Sequence, residues 1–186
     1  WQDLAPGPTD EAAIRADLGR ARLHAYAVML PLLEATDGLA PVEALRLLLS
    51  ALAGTEPAAH HVLAVAAVPV FAAAIQRRRA GRHPVAPDES LGQAADFLRM
   101  LHGRPADAGH VRALDTYLVT VADHGLNAST FTARVIASTR AGLFSSVIGG
   151  LCALKGPLHG GAPGPVLDMR SEEHTSELQS HVNLVC

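Results

Sequence analysis

Hydrophobic residues recur along this chain at helical spacing, with polar residues filling the positions between them. Ile14, Leu18 and Leu23 predict one face of a first helix that starts near Glu11 and ends or bends at Pro31. No segment alternates apolar and polar residues for long, and β-branched residues are sparse, which argues against strands. The pattern therefore predicts an all-α fold.

Six further helices are predicted from the same spacing, separated by glycine, proline and short polar stretches. Their approximate ranges are 41–54, 58–80, 90–101, 106–122, 128–140 and 143–154. The second and fifth of the seven helices have clear apolar faces, formed by Val42, Leu45, Leu48, Leu49 and Leu52 and by Val111, Leu114, Leu118 and Val121. The last helix is rich in serine, glycine and alanine, so another helix can approach it closely.

Composition and charge exclude several classes of protein. The net charge of −3 gives no electrostatic reason to expect nucleic acid or an anionic membrane as a partner. The run Arg77–Arg79 closes the third predicted helix, where positive charge complements the helix dipole.

The longest apolar run, Val62–Ile75, contains Pro69 and is shorter than the ~18 residues of a membrane span, so a buried core helix is expected. Two cysteines cannot form a disulfide scaffold, and we expect a cytoplasmic protein.

Two short segments carry the candidate chemistry. The first is DHGLNAST, residues 123–130, and the second is KGPLHGG, residues 155–161. His124 follows the fifth helix, where the dipole favours the protonated imidazole and so suits an anionic carboxylate. His159 lies beyond Pro157 and ahead of two glycines; at the start of a next helix its ring would be neutral and able to donate to a carbonyl. For each histidine, a capping role or a buried, hydrogen-bonded position is the structural alternative.

Common nucleotide and metal signatures are missing from the sequence. It contains no GxGxxG after a strand, no GxxxxGK[ST], no HExxH and no CxxC. We therefore expect no metal site and no phosphate-binding loop.

At the two histidine segments the chain resembles a known family. ADHGLNASTFTARVIAST and ALKGPLHGGAPGPVLDM are similar to the citrate synthase family, which includes 2-methylcitrate synthases. The resemblance covers residues 1–169 and implies part of a mostly α-helical large domain. It also implies a homodimer and an acyltransferase of the tricarboxylic acid cycle that condenses acetyl-CoA with oxaloacetate. Acetyl-CoA, or propionyl-CoA, would be a co-substrate, and no cofactor would be tightly bound.

The resemblance also implies roles for individual residues. His159 matches the histidine of the family's GPxHG motif, which hydrogen-bonds the thioester carbonyl and stabilises the enol or enolate. His124 matches the second histidine of HxDH, which binds oxaloacetate, and Asn127 is a weaker candidate for the polar residues of that site. Ser129 matches a residue expected to orient the catalytic histidine.

Other positions extend or depart from the family pattern. Lys155 and Gly156 lie beside the expected approach of coenzyme A, whereas Val121 stands where many members have the first histidine of HxDH. The family's catalytic aspartate, its second catalytic histidine and most carboxylate-binding arginines lie downstream of GPxHG. A reaction that needs a base and two electrophilic groups cannot proceed with one histidine. We therefore expect this chain to be an inactive piece of the parent enzyme, truncated at both ends.

The composition changes at Arg170. RSEEHTSELQSH, residues 170–181, resembles the in-frame translation of a short-read sequencing adapter. We interpret residues 170–186 as adapter-derived and residues 1–169 as the partial large domain.

Two alternatives to citrate synthase remain open: a 2-methylcitrate synthase that uses propionyl-CoA, and a non-catalytic helical paralogue that dimerises with a full-length partner.

Overall fold

A computed structural model describes residues 10–54, 60–123 and 125–160. The described ranges contain helices and no strand, and every one of the predicted helices is present within a few residues of its predicted bounds. The α-helices are α1 (Glu11–Met29), α2 (Pro41–Ala51), α3 (His60–Arg79), α4 (Gln93–His102), α5 (Ala108–Val121), α6 (Ala128–Ser138) and α7 (Leu143–Leu154). Short 3-10 helices, Leu30–Thr36 and Leu52–Gly54, follow α1 and α2. The predictions for His124 and for residues 170–186 lie outside the described residues.

The chain divides into two compact units, residues 1–107 and 108–186. In the first unit α3 is central, because α1, α2 and α4 all pack against it. By length and composition α3 is apolar enough to cross a membrane, but much of it is buried inside this unit. Its buried residues are Leu63, Ala66, Ala67, Val70, Phe71, Ala73, Ala74 and Ile75. This burial agrees with the core helix that the run containing Pro69 predicts.

The predicted apolar face of α1 is wrong for two of its three residues, and the third, Leu18, is half-buried. Ile14 and Leu23 are 44% and 39% exposed, and the buried residues are Gly19, Arg22, Ala25 and Met29. Glycine is required at position 19 because a β-carbon there would overlap the backbone of Glu89. The buried face of the helix thus includes a glycine and a charged residue, which a search for hydrophobic periodicity assigns to the surface.

A buried ion pair explains how an arginine occupies that face. Nε of Arg22 donates to Oδ2 of Asp96 at 2.8 Å, and the two side chains are 1% and 0% exposed. The remaining guanidinium N–H groups of Arg22 donate to Oε1 of Gln93 at 2.9 Å and to the carbonyl of Leu91 at 2.7 Å. Arg99 donates to the other carboxylate oxygen of Asp96 at 2.8 Å. Both buried charges are therefore hydrogen-bonded as well as paired, which compensates their desolvation.

The arginines of the run Arg77–Arg79 lie in the last turn of α3, as the sequence predicts, and they also bond to loop residues. Arg78 donates two hydrogen bonds of 2.5 Å to the carboxylate of Asp37. Arg79 donates to the carbonyl of Leu39 at 3.2 Å, and Arg77 donates to the carbonyl of His83 at 2.6 Å. These contacts join the end of α3 to the loop before α2 and to the loop that follows α3.

In the second unit α6 and α7 pack against each other. The expectation for α5 is only partly met, because the helix forms but its predicted apolar face is not buried. Leu118 and Val121 are 41% and 38% exposed, and no residue of α5 is buried. Local spacing predicts the helix, whereas burial depends on what packs against it, which local spacing does not specify.

Candidate active site

The first wall of the candidate site is the start of α6. Asn127 is the N-cap of this helix, with φ −105° and ψ 179°. Its side-chain Oδ1 accepts a hydrogen bond of 2.9 Å from the backbone N–H of Thr130. This contact satisfies one of the unpaired N–H groups of the first turn. It also places Ser129 in that turn, two residues after the cap.

Glycines in α7 bring that helix close to α6. A β-carbon on Gly150 would lie 3.3 Å from the backbone oxygen of Ser129 and 3.5 Å from the β-carbon of Ala133. A β-carbon on Gly149 would overlap the side chain of Ile136. The close approach predicted from the small residues of α7 is thus confirmed. Its consequence is that α7 lies directly against the turn that carries Ser129.

A tight turn after α7 positions His159. Lys155 is the C-cap of α7, and the carbonyl of Gly156 accepts a hydrogen bond of 2.9 Å from the N–H of His159. Pro157 occupies the second position of this turn, where its fixed φ is favourable. The N–H of Gly160 then donates to the carbonyl of Leu154 at 2.7 Å. The chain is therefore folded back over the C-terminal end of α7.

Glycine is required at position 160. A β-carbon there would overlap the carbonyl oxygen of Leu154 and lie 2.9 Å from its carbonyl carbon. The sequence signal for this turn is the glycine that directly follows His159. The structure gives Gly160 a specific role, because its close approach to α7 holds the preceding histidine in place.

Three predicted site residues meet between α6 and this turn. Nε2 of His159 lies 3.1 Å from Oγ of Ser129, and Oγ of Ser129 lies 2.7 Å from Oδ1 of Asn127. All three side chains are half-buried. A histidine held by hydrogen bonds in a partly desolvated position is preorganised to stabilise charge that develops on a substrate, because little reorganisation is needed at the moment of reaction. The predicted orienting role of Ser129 fits this geometry.

The other predicted residues are placed around this group. Lys155 is exposed and Gly156 is half-buried, both on the turn that leads from α7 to His159. His124 lies outside the described residues. The residues on either side of it are joined by a hydrogen bond of 3.1 Å from the N–H of Gly125 to Oδ1 of Asp123. Among the described side chains, no group of three His, Cys, Asp or Glu residues is arranged to hold a metal ion.

The family model described as "Citrate synthase, C-terminal domain" matches residues 1–185. The chain belongs to the citrate synthase family. The segments that carry Ser129 and His159 therefore belong to a citrate synthase domain, and the all-α fold expected for part of such a domain is confirmed.

Individual members of the family are also similar to this chain. A 2-methylcitrate synthase from Mycobacterium tuberculosis is 38% identical over 170 residues, covering 86% of this chain and 43% of that protein. A citrate synthase from Corynebacterium glutamicum is 46% identical over 110 residues, covering 56% of this chain and 25% of that protein.

Among solved structures, the citrate synthase of Thermotoga maritima superposes with a TM-score of 0.74 at 29% identity, covering 89% of this chain and 46% of that one. The chain thus spans less than half the length of these citrate synthase relatives.

Proposed function

We propose that this chain carries the His159 part of the active site in an acyltransferase of the citrate synthase type. The enzyme condenses acetyl-CoA with oxaloacetate and releases citrate and CoA. Family membership supports the reaction class. The observation that carries the proposal within the structure is the 3.1 Å contact between His159 and Ser129, because it holds the imidazole beside the turn at the end of α7.

In the proposed reaction His159 stabilises the enol or enolate of the acyl group. A base removes a proton from the carbon next to the thioester, and negative charge develops on the thioester oxygen. An imidazole N–H directed at that oxygen lowers the barrier most when it is already held in place. The enolate carbon then attacks the keto carbon of oxaloacetate, and water cleaves the thioester of the condensed product to free CoA.

The remaining residues receive supporting roles in this proposal. His124 holds a carboxylate of oxaloacetate, and Asn127 and Ser129 keep the catalytic imidazole in place. Lys155 and Gly156 face the approach of coenzyme A; the exposed ammonium of Lys155 is suited to attracting its phosphates. We further propose that the full-length protein acts as a cytoplasmic homodimer with no tightly bound cofactor.

Propionyl-CoA is the second candidate acyl donor. The similarity to the 2-methylcitrate synthase of Mycobacterium tuberculosis, which extends over 86% of this chain, favours it. The two activities share the chemistry assigned to His159 and differ in the size of the acyl group. The ratio of kcat/KM for acetyl-CoA and propionyl-CoA, each with oxaloacetate, distinguishes them.

The test uses the full-length protein that contains this chain and follows release of the CoA thiol. We expect His159→Ala to lower kcat by roughly a hundredfold, the scale for losing one stabilising donor. His24→Ala, which removes an exposed imidazole from α1, is the matched control and should leave kcat unchanged. A near-normal kcat for His159→Ala would overturn the proposal. The 186-residue chain assayed alone should release no CoA above background.

A further inference from the structure

Lys155 is the only lysine in the sequence. The chain holds 15 lysines and arginines in total, and all the others are arginines. Arginine stays protonated in proteins and does not act as a nucleophile, whereas a lysine amine becomes nucleophilic when it loses its proton. Lys155 therefore carries the one side-chain amine of this sequence to which an acyl group can be transferred.

Lys155 directly precedes the turn that positions His159. It is the C-cap of α7, and its side chain is exposed. The carbonyl of the next residue, Gly156, accepts the hydrogen bond of 2.9 Å from the N–H of His159. This bond closes a four-residue turn, and the first and last α-carbons of such a turn lie less than about 7 Å apart. The long side chain of Lys155 is therefore attached close to His159 and can bring its amine to a group that the imidazole holds.

An acyl-CoA that binds as proposed presents its thioester to this imidazole. In the proposed reaction an N–H of His159 points at the thioester oxygen. The same hydrogen bond stabilises the oxyanion that forms when a nucleophile adds to the thioester carbon. A nucleophile held beside the thioester also reacts faster than one in free solution, because the two groups are already together. The arrangement that favours the enolate thus also favours attack by a neighbouring amine.

We propose that Lys155 is a modification site that takes the acyl group of an acyl-CoA bound at His159, an inference that rests on the proposed function. The unprotonated Nζ attacks the thioester carbon, so that a C–N bond forms and the C–S bond breaks. CoA leaves as the thiolate and takes up the proton that the amine releases. The products are an N-acyl-lysine and free CoA, and no further reactant is consumed.

The modification removes the positive charge of Lys155. In the proposed function that charge attracts the phosphates of coenzyme A, so the modified protein binds acyl-CoA more weakly. Acyl transfer to Lys155 is slow compared with condensation, and it gains importance when acyl-CoA is abundant and oxaloacetate is scarce. Lys155 thus limits the affinity of the site for acyl-CoA under those conditions.

Peptide mass spectrometry tests the transfer. The full-length protein that contains this chain is incubated with acetyl-CoA in the absence of oxaloacetate, and acetylation of the peptide that contains Lys155 is followed over time. We expect His159→Ala to slow this acetylation roughly a hundredfold, the scale for losing one oxyanion donor. The control reagent is the N-hydroxysuccinimide ester of acetic acid, which needs no imidazole and should acetylate Lys155 equally fast in both proteins. A wild-type Lys155 that acetyl-CoA leaves unmodified would overturn the proposal, and so would equal rates with acetyl-CoA in the two proteins.

Steady-state kinetics test the consequence. Pre-incubation of the wild-type protein with acetyl-CoA, followed by removal of the reagent, should raise KM for acetyl-CoA several-fold. Lys155→Arg cannot be acylated, so its KM should be the same before and after the treatment. An equal rise in both proteins would show that another residue is responsible and would contradict the regulatory role of Lys155. The proposed function is tested separately by kcat of His159→Ala, so a low kcat without acetylation of Lys155 sinks this inference alone.

Discussion

The imidazole of His159 lies 3.1 Å from the hydroxyl of Ser129, although thirty positions separate the two residues in the chain. Ser129 belongs to the first turn of α6, and His159 follows α7 after a turn that folds back on that helix. The contact therefore depends on the packing of α6 against α7 and on the geometry of the turn. Each of these features can be changed separately by substitution.

The first prediction concerns the coupling between these two residues. In the full-length protein, Ser129→Ala should lower kcat roughly three- to tenfold, the scale of one hydrogen bond. In a His159→Ala background the same substitution should have almost no further effect, because the ring it orients is gone. Steady-state thiol-release kinetics of the four proteins measure the coupling. Ser138→Ala, at the far end of α6, removes a serine that donates to Val135 and serves as the control.

Additive losses in that cycle would contradict the orienting role of Ser129. They would mean that the serine contributes to turnover by a route that does not pass through the imidazole of His159.

The second prediction concerns the turn that carries His159. Gly160→Ala places a methyl group on the carbonyl of Leu154, so the turn must shift and His159 must move with it. Because misplacement by about 1 Å can cost a hundredfold in rate, we expect kcat of the full-length protein to fall roughly ten- to hundredfold. Thiol-release kinetics provide the measurement. Gly54→Ala is the control, since a β-carbon there meets open space. Equal kcat values for the two variants would show that the turn tolerates the methyl group.

The helices and the cap around the candidate site can be predicted from local sequence. The contact between its residues cannot, because it depends on how the helices pack. The bounds of α7 are predicted correctly because a run of apolar and small residues lies between Gly142 and Lys155. The N-cap role of Asn127 is likewise predicted from its residue type and place. No local pattern, however, shows that Ser129 and His159 touch, because that contact requires α7 to lie against α6. The family resemblance supplied this expectation.

The error on the buried face of α1 has the same origin. Hydrophobic periodicity treats Arg22 as a surface residue, and so it selects Ile14 and Leu23 for the core. The arginine is buried because Asp96, far away in sequence, reaches it. A search over neighbouring residues cannot detect a charged partner that is distant in the sequence.

The third prediction tests that pair. Asp96→Asn removes the negative charge between two arginines and leaves the Arg22 guanidinium buried with no carboxylate partner. Breaking a buried ion pair in this way costs about 3–5 kcal/mol. Unfolding of the 186-residue chain by urea should show this loss in the free energy of unfolding. Asp17→Asn is the control: it removes the partner of Arg20 in an exposed pair and should cost less than about 1 kcal/mol. Similar losses for the two variants would show that burial adds nothing to the Arg22–Asp96 interaction.

The fourth prediction concerns the acid dependence of stability. The hydrogen bonds from Arg78 hold the pKa of the Asp37 carboxyl below its usual value of 3.8. A carboxylate whose pKa is lower in the folded state than in the unfolded state stabilises the fold while it is ionised. That contribution is complete above the unfolded pKa and is lost as the pH falls through the lowered folded value. Arg78→Gln removes the hydrogen bonds and therefore this contribution.

The measurement compares thermal unfolding of the wild-type chain and Arg78→Gln from near-neutral pH down to about pH 3, below the ordinary aspartate pKa. The wild type should be more stable at the upper end, and the difference should shrink as the pH falls below the usual pKa of Asp37. The matched control is Arg79→Gln, because Arg79 donates to the carbonyl of Leu39, which does not titrate. Its stability difference from the wild type should stay constant over the same range. A constant difference for Arg78→Gln as well would mean that the stabilisation by Arg78 does not depend on the charge of Asp37.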